Sequence, residues 1–269
     1  MVDQALVEQT DDPVTADRLL TDLRSLGVEP GDTLLVHSSL SAIGWVAGGP
    51  QAVVDALNRA VGDAGTVVVP THTPQHSNPE AWSNPPVPEE WIEPIRASMP
   101  PYRPDVTPSR GVGEIPECFR TYPEAVRSPH PVVSFAALGA DAEEIVSDHQ
   151  FDFGLGEKSP LARIYDQGGR VLMLGTDYGT NTSMHLAEYR ADIPTERAVT
   201  QAPIRRDGER ATVTFEDIET STDDFEQLGT AFERAVGAEH GPVGEAEATL
   251  LDQPQLVDFA VEWMEKNRG

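Results

Sequence analysis

Leucines at 19, 20, 23 and 26 recur at three- and four-residue spacing in the string TADRLLTDLRSL. That period predicts a helix over residues 15–26, capped by the Thr15 hydroxyl and stopped by Gly27. The pattern then changes. GDTLLVHSS is a turn followed by a short apolar run, which predicts a buried strand from Thr33 to His37. Pro50 opens a helix over Gln51–Val61, whose apolar positions 53, 54, 57, 60 and 61 share one face. GTVVVPT predicts a second strand. Strand, loop, helix and strand within residues 33–70 set the rhythm of an α/β layered fold.

The same reading extends down the chain. VVSFAALG (132–139) predicts a strand, followed by a short helix over 141–148. SPLARIYDQGG predicts a helix, RVLMLGT (170–176) a strand, and TSMHLAEYRA (182–191) a helix. RATVTFEDIET (210–220) alternates like an exposed arm, with GER or RDG as its turn, in a β-hairpin spanning 200–222. Residues 254–266 predict a C-terminal helix with Leu256, Phe259, Ala260, Trp263 and Met264 on one face. No repeat and no linker-like composition occurs, so residues 1–269 read as one domain with inserts. One insert stands apart. Residues 74–108 hold ten of the 23 prolines, with Trp82 and Trp91. Proline at that density works against regular central elements, and the tryptophans favour a packed lid or pocket wall.

Charge narrows the function classes. The chain has 269 residues, with 45 acidic against 19 basic, a net charge of −26, and 39% hydrophobic residues. Nucleic acid as a partner is excluded for want of clustered Lys and Arg, and anionic membrane surfaces likewise. No apolar run approaches the ~18 residues of a membrane span, and the acidic start MVDQALVEQTDD lacks a signal-peptide layout. A single cysteine, Cys118, excludes an internal disulfide, so a cytoplasmic protein is expected. Only Lys158 and Lys266 are lysines. Acid-rich, lysine-poor surfaces suit salt-loaded cytoplasms, because at ~1 M salt the Debye length is about 3 Å and self-repulsion is screened. An ordinary acidic bacterial protein is the alternative.

Four clusters carry candidate chemistry. HSSLSAIGWVAGGP (37–50) brings a histidine and hydroxyls to a strand end ahead of a helix start, which suits phosphate; it reads equally as a βα turn with a capping serine. PSRGVGEIP (108–116) offers Arg110 to an anion, or is a tight turn with a solvated arginine. RSPHP (127–131) holds His130 stiffly between prolines, as a wall contact, a cis-proline turn or a structural histidine. Thr182, His185 and Glu188 follow one another at three-residue spacing, so neighbours face nearly the same way on a helix. Glu188 can fix one imidazole nitrogen and leave the other to take a proton; a surface His–Glu pair is the alternative. There is no GxSxG elbow for a serine hydrolase. Cys118, in ECFR, reads as a packed helix position rather than a nucleophile. A metal-dependent hydrolase would need His185 and Glu188 to converge with His72 or His76.

Together the strings LLVHSSLSAIGWVAGGPQAVVDAL (34–57), GTVVVPTHT (65–73), RSPHPVVSFAALG (127–139), GEKSPLARIYDQGGRVLMLGT (156–176) and TSMHLAEYRA (182–191) resemble, in order, the aminoglycoside 3-N-acetyltransferases of the antibiotic N-acetyltransferase fold. The surface composition points to a haloarchaeal member. The resemblance implies an α/β/α layered fold on a central, mostly parallel sheet. It implies acetyl-CoA as cosubstrate, a small-molecule amine as acceptor, and no metal. His185 then matches the general base, Glu188 its orienting carboxylate, and Thr182 the hydroxyl near the acetyl carbonyl. Ser38, Ser39 and Leu40 match the segment holding pantetheine and pyrophosphate, and Ser109, Arg110 and Val112 contact CoA further along.

One position departs from the family. Many members carry Tyr-Asp-x-x-Thr before the catalytic helix, with the Asp holding a cationic antibiotic. Here the string is YGTNT, with Gly179 in the Asp position; Asp177 and Tyr178 remain as acceptor-side candidates. A non-antibiotic amine metabolite is therefore a second acceptor class. A CoA-binding module without turnover is the non-enzyme alternative. Monomer and homodimer both stay open.

Overall fold

The computed structural model describes residues 4–10 and 12–269. Helix α1 is Gln4–Gln9 and α2 is Ala16–Leu26. The Thr15 side chain accepts from the Arg18 N–H, and Gly27 ends α2 at φ +109°, a conformation glycine adopts without strain. Strand β1 (Thr33–Ser38), helix α3 (Gly49–Val61, with Pro50 in its first turn) and strand β2 (Thr66–Pro70) follow as the pattern predicts.

Further on come α4 (Glu89–Ser98), α5 (Glu114–Phe119), β3 (Val126–Arg127), β4 (Phe135–Gly139), α6 (Ala142–Val146), α7 (Pro160–Asp166), β5 (Arg170–Leu174) and α8 (Ser183–Arg190). The chain closes with β6 (Arg197–Arg206), β7 (Glu209–Ile218), α9 (Phe225–Ala235), β8 (Glu239–Val243), β9 (Ala246–Asp252) and α10 (Gln253–Arg268). Among the described residues no helix is long and apolar enough to cross a membrane.

Seven strands form one sheet in the order β3-β4-β2-β1-β5-β9-β8. β1 runs parallel to both β2 and β5, while β4 and β9 run against their neighbours, so five of the seven strands point one way. Successive residues of β1 face opposite cores. Leu34 and Val36 pack with α2 and α3, and Leu35 packs with α7, α8 and α10. Burial on both faces explains why β1 and β2 read as unbroken apolar runs.

Three segments differ from expectation. The predicted strand at 132–139 begins only at Phe135, because His130 Nδ1 accepts from the N–H groups of Val132 (3.1 Å) and Val133 (3.0 Å) and holds them in a turn. The cis peptide bond lies at Asn84–Pro85, not beside His130. The proline-rich insert carries a regular element after all: α4 runs through Pro94, at the cost of the hydrogen bond that residue would have made to Glu90. None of the α4 side chains is buried, so the helix rides on the surface.

The insert is pinned from below. Buried Arg127 donates to the carbonyls of Thr71 (2.6 Å), Pro104 (3.1 Å) and Thr107. Tyr102 donates its hydroxyl to Ser128 O at 2.9 Å and its N–H to Pro203 O of β6 at 2.8 Å.

Strands β6 and β7 form a separate two-stranded sheet, in which Arg206 faces Glu209. Asp207 (φ +51°) and Gly208 (φ +85°) form the turn, both in the left-handed region that two-residue hairpin turns require. Of the two candidate turn strings, RDG therefore holds the turn.

Candidate active site

The parallel strands β1 and β5 end side by side, with Ser38 opposite Leu174. In an α/β sheet, the chain leaving such strand ends builds the crevice where ligands bind. Here a groove of about 520 Å³ opens at that edge. Its walls are residues 37–41 at and beyond the end of β1, Pro70 and His72 at and beyond the end of β2, residues 111–114 leading into α5, and Thr176, Gly179, Thr180 and Thr182 after β5. From the string 37–50 the groove takes only its first five residues; the glycines and the start of α3 lie outside it.

Thr182 stands at the N-terminal end of α8 and reaches back to β1, its Oγ1 3.3 Å from His37 Nε2. One turn further, His185 Nδ1 and Glu188 Oε2 lie 2.5 Å apart. An ionised carboxylate only accepts, so Nδ1 carries the proton and Nε2 is left as the free basic nitrogen. Glu188 is 3% exposed. Its second oxygen accepts from the Ser221 N–H at 3.0 Å and from Arg268 Nη1 at 2.6 Å. The Phe225 ring lies against His185 with centroids 5.0 Å apart.

Two imidazoles line the groove, His37 and His72, while His185 and Glu188 lie next to it, one turn of α8 beyond groove-lining Thr182. Burial, and secondly the charge of His185, pulls His37 down to about 3. Burial does the same for His72, also to about 3, with His185, His37, His130 and Arg127 adding to it. Both rings are neutral at pH 7. His72 Nε2, Ser38 Oγ and Thr176 Oγ1 are buried atoms of groove-lining residues with no partner in the protein. Orphaned polar atoms are rare in native interiors and here mark places for a ligand's donors and acceptors.

The sequence candidates fall into separate places. Ser38, Ser39, Leu40, Val112 and Thr182 line the groove. Ser109 does not; its N–H and hydroxyl both donate to Glu117 Oε2, at 2.8 and 2.6 Å. Arg110 is exposed and lines a second cavity of about 510 Å³, walled by Trp82, Pro85 and other residues of the insert.

On the other flank, Asp177 precedes a single 3-10 turn, Tyr178–Thr180. Tyr178 donates its hydroxyl to Glu233 Oε1 at 2.7 Å. The Gly179 N–H donates to Glu226 Oε1 at 2.8 Å. His130 is structural: besides its turn, its Nε2 donates to Phe151 O at 3.1 Å. His76 packs edge-on against Tyr102 within the insert. Among the described residues no three His, Cys, Asp or Glu side chains converge as a metal site.

Sequence reasoning missed Arg268, Ser221, Phe225 and Glu226. Arg268 lies 80 positions from Glu188, so no local spacing signals their contact.

Comparison with known proteins follows the same lines. The profile of the family described as aminoglycoside 3-N-acetyltransferase matches residues 35–265. The SPbeta prophage-derived aminoglycoside N(3')-acetyltransferase-like protein YokD of Bacillus subtilis (strain 168) is 44% identical over 264 residues, covering 97% of this chain and 96% of its own. The crystal structure of YokD superposes with a TM-score of 0.95 over 98% of each chain. Two further solved structures are each 33% identical and cover 96% of this chain. AAC-IIIb, in a binary complex with CoASH, has a TM-score of 0.86 over 98% of its own chain. AAC-VIa, bound to sisomicin, has a TM-score of 0.87 over 100% of its own.

Proposed function

Because the chain belongs to the aminoglycoside 3-N-acetyltransferase family, a family of CoA-dependent acyltransferases, we propose that it acetylates a cationic amine from acetyl-CoA, with His185 as general base and Glu188 as its orienting carboxylate. The observation that carries this reading is the 2.5 Å contact between His185 Nδ1 and Glu188 Oε2 beside the groove.

Acetyl-CoA supplies the activated acyl group. The groove suits its pantetheine arm: the orphaned His72 Nε2, Ser38 Oγ and Thr176 Oγ1 are complementary to amides and a hydroxyl. Ser38, Ser39, Leu40 and Val112 would flank the arm, with Ser109 and Arg110 towards its far end. An amine arrives as ammonium and must lose a proton to attack. His185 Nε2 takes that proton, and Glu188 stabilises the imidazolium that forms. The Thr182 hydroxyl donates to the carbonyl oxygen as charge gathers there. Its proton is free for this when His37 Nε2–H donates to Thr182 Oγ1 across their 3.3 Å contact. Low His37 basicity keeps that ring neutral and stops it from competing for the substrate proton. No acyl-carrying nucleophile is needed, so transfer is direct within a ternary complex: the amine nitrogen bonds to the acetyl carbon, the carbon–sulfur bond breaks, and CoA leaves as the thiolate, which takes the proton held on His185 Nε2.

The acceptor side is acidic. A Cβ at Gly179 would lie 3.3 Å from Asp177 Oδ1 and 3.8 Å from Glu226 Oε1. Two carboxylates thus surround the position where many family members carry Asp, which supports Asp177 as an amine contact with Tyr178 beside it. Because the charge comes from neighbouring positions, the acceptor class includes amine metabolites besides antibiotics. The −26 charge and two lysines support a cytoplasm rich in salt.

The test is a mass-spectrometric acetyl-transfer assay against sisomicin, simple amino sugars and peptide-like amines, at low and near-molar salt. Acetylated product that is lost in His185→Ala supports the reading. CoA binding without product from any amine would replace it with a binding module.

A further inference from the structure

Both oxygens of Glu188 are engaged. Oε2 accepts from His185 Nδ1 at 2.5 Å, and Oε1 accepts from the Ser221 N–H at 3.0 Å and Arg268 Nη1 at 2.6 Å. Arg268 stands at the C-terminal end of α10, and its own fork is fixed. Nε donates to Asp224 Oδ2 at 2.8 Å; Nη2 donates to the other Asp224 oxygen and to Ser221 O at 3.2 Å. The guanidinium carbon is 5.9 Å from the centroid of the Phe225 ring that packs against His185. One side chain therefore ties α8, the 221–225 segment and α10 together at the catalytic pair.

We propose that Arg268 is a positioning residue for acetyl transfer, locking the Glu188 carboxylate in the rotation that presents Oε2 to His185 Nδ1. This rests on His185 being the base. A glutamate has three side-chain torsions, and at 3% exposure Glu188 cannot rely on water to hold it. The Ser221 N–H alone leaves the carboxylate free to swing about one contact. A guanidinium already clamped by Asp224 adds a second, charge-assisted contact from a fixed direction. It also supplies the opposite charge a buried carboxylate needs. Lysine cannot reproduce this, because a single ammonium does not engage Asp224 in parallel and Glu188 together.

The test compares three full-length variants with wild type and with His185→Ala, using acetyl-CoA and sisomicin. Arg268→Met is expected to lower kcat about tenfold or more, as loss of an orienting outer contact does in comparable sites. KM for acetyl-CoA should stay within about twofold, because Arg268 is not among the residues that line the groove. Arg268→Lys, which keeps the charge, should recover only part of kcat. Met264→Ala removes a fully buried α10 side chain outside this network. It should lower Tm at least as much as Arg268→Met and leave kcat near wild type. The second readout needs no acceptor: the Nδ1–H proton resonance of His185 should move in Arg268→Met and Arg268→Lys but not in Met264→Ala.

Unchanged kcat in Arg268→Met, or loss of kcat in proportion to Tm in Met264→Ala, overturns the proposal, as does an unmoved resonance. If His185→Ala turns over like wild type, the base reading fails instead, and the resonance alone decides whether Arg268 orients the pair.

Discussion

The ring of Tyr178 fills the space a side chain at Gly229 would need: a Cβ there would come within 2.2 to 2.5 Å of three ring carbons. Gly229 sits inside α9, where glycine costs about 1 kcal/mol relative to alanine. Gly229→Ala should therefore stabilise by helix propensity, yet overpacking against Tyr178 costs about 1–3 kcal/mol, so a net loss of up to about 2 kcal/mol is expected. Thermal unfolding should show a lower Tm. Acceptor KM should rise through displacement of Tyr178, while KM for acetyl-CoA stays constant. A Tm above wild type would show that the ring yields freely.

His130, held between prolines in RSPHP, serves as a turn anchor. His130→Ala leaves the Val132 and Val133 N–H groups and the Phe151 carbonyl without their partner. A loss of about 2–4 kcal/mol is expected in denaturant unfolding, since each orphaned buried group costs about 1–3 kcal/mol and not all are fully stranded. The kcat of the variant that remains folded should stay within about threefold of wild type. A drop of a hundredfold at unchanged stability would place His130 in the chemistry.

Several buried histidines make stability depend on pH. Burial, only partly offset by the Phe151 carbonyl, lowers His130 to about 4, and burial lowers His37 to about 3. His149 is also held well below its usual 6.5 by burial. Between about 4 and 6.5 the unfolded chain binds protons that the folded chain does not. Stability is thus full above 6.5 and falls as pH drops towards 4, by up to about 1.4 kcal/mol per pH unit per histidine. Unfolding free energies at pH 6.5 and 5.0 should show this fall, with a shallower slope in His130→Asn. Equal slopes would mean that His130 does not contribute.

Much of the layered core was legible because α2 and α3 carry a clear helical period and β1, β2 and β5 are short apolar runs between turn signals. Residues 225–252 were not. In β8, Gly241 and Pro242 argue against a strand, but its place at the sheet edge tolerates them. Alanines at 246 and 248 hide β9, since small residues signal a strand weakly. Gly229 breaks up α9. The His185–Glu188 pair was visible because it is local. Arg268, which the fold brings to that pair, and Glu226, which it brings to Gly179, were not, because neither contact is local.

Salt should act on the cofactor side. The string 37–50 has no basic residue apart from His37, so nothing there offsets the −26 charge that repels polyanionic CoA. KM for acetyl-CoA is expected to fall as salt approaches ~1 M, where the Debye length is about 3 Å. A KM that rises steadily with salt would assign the charge to amine capture instead.

The central claim is that His185 Nε2 takes the amine proton. Its most direct measurement is kcat of His185→Ala alongside calorimetric CoA affinity. The account predicts turnover down by about 10²–10⁴, the range of general-base catalysis, with CoA affinity unchanged. Wild-type turnover in that variant would contradict it.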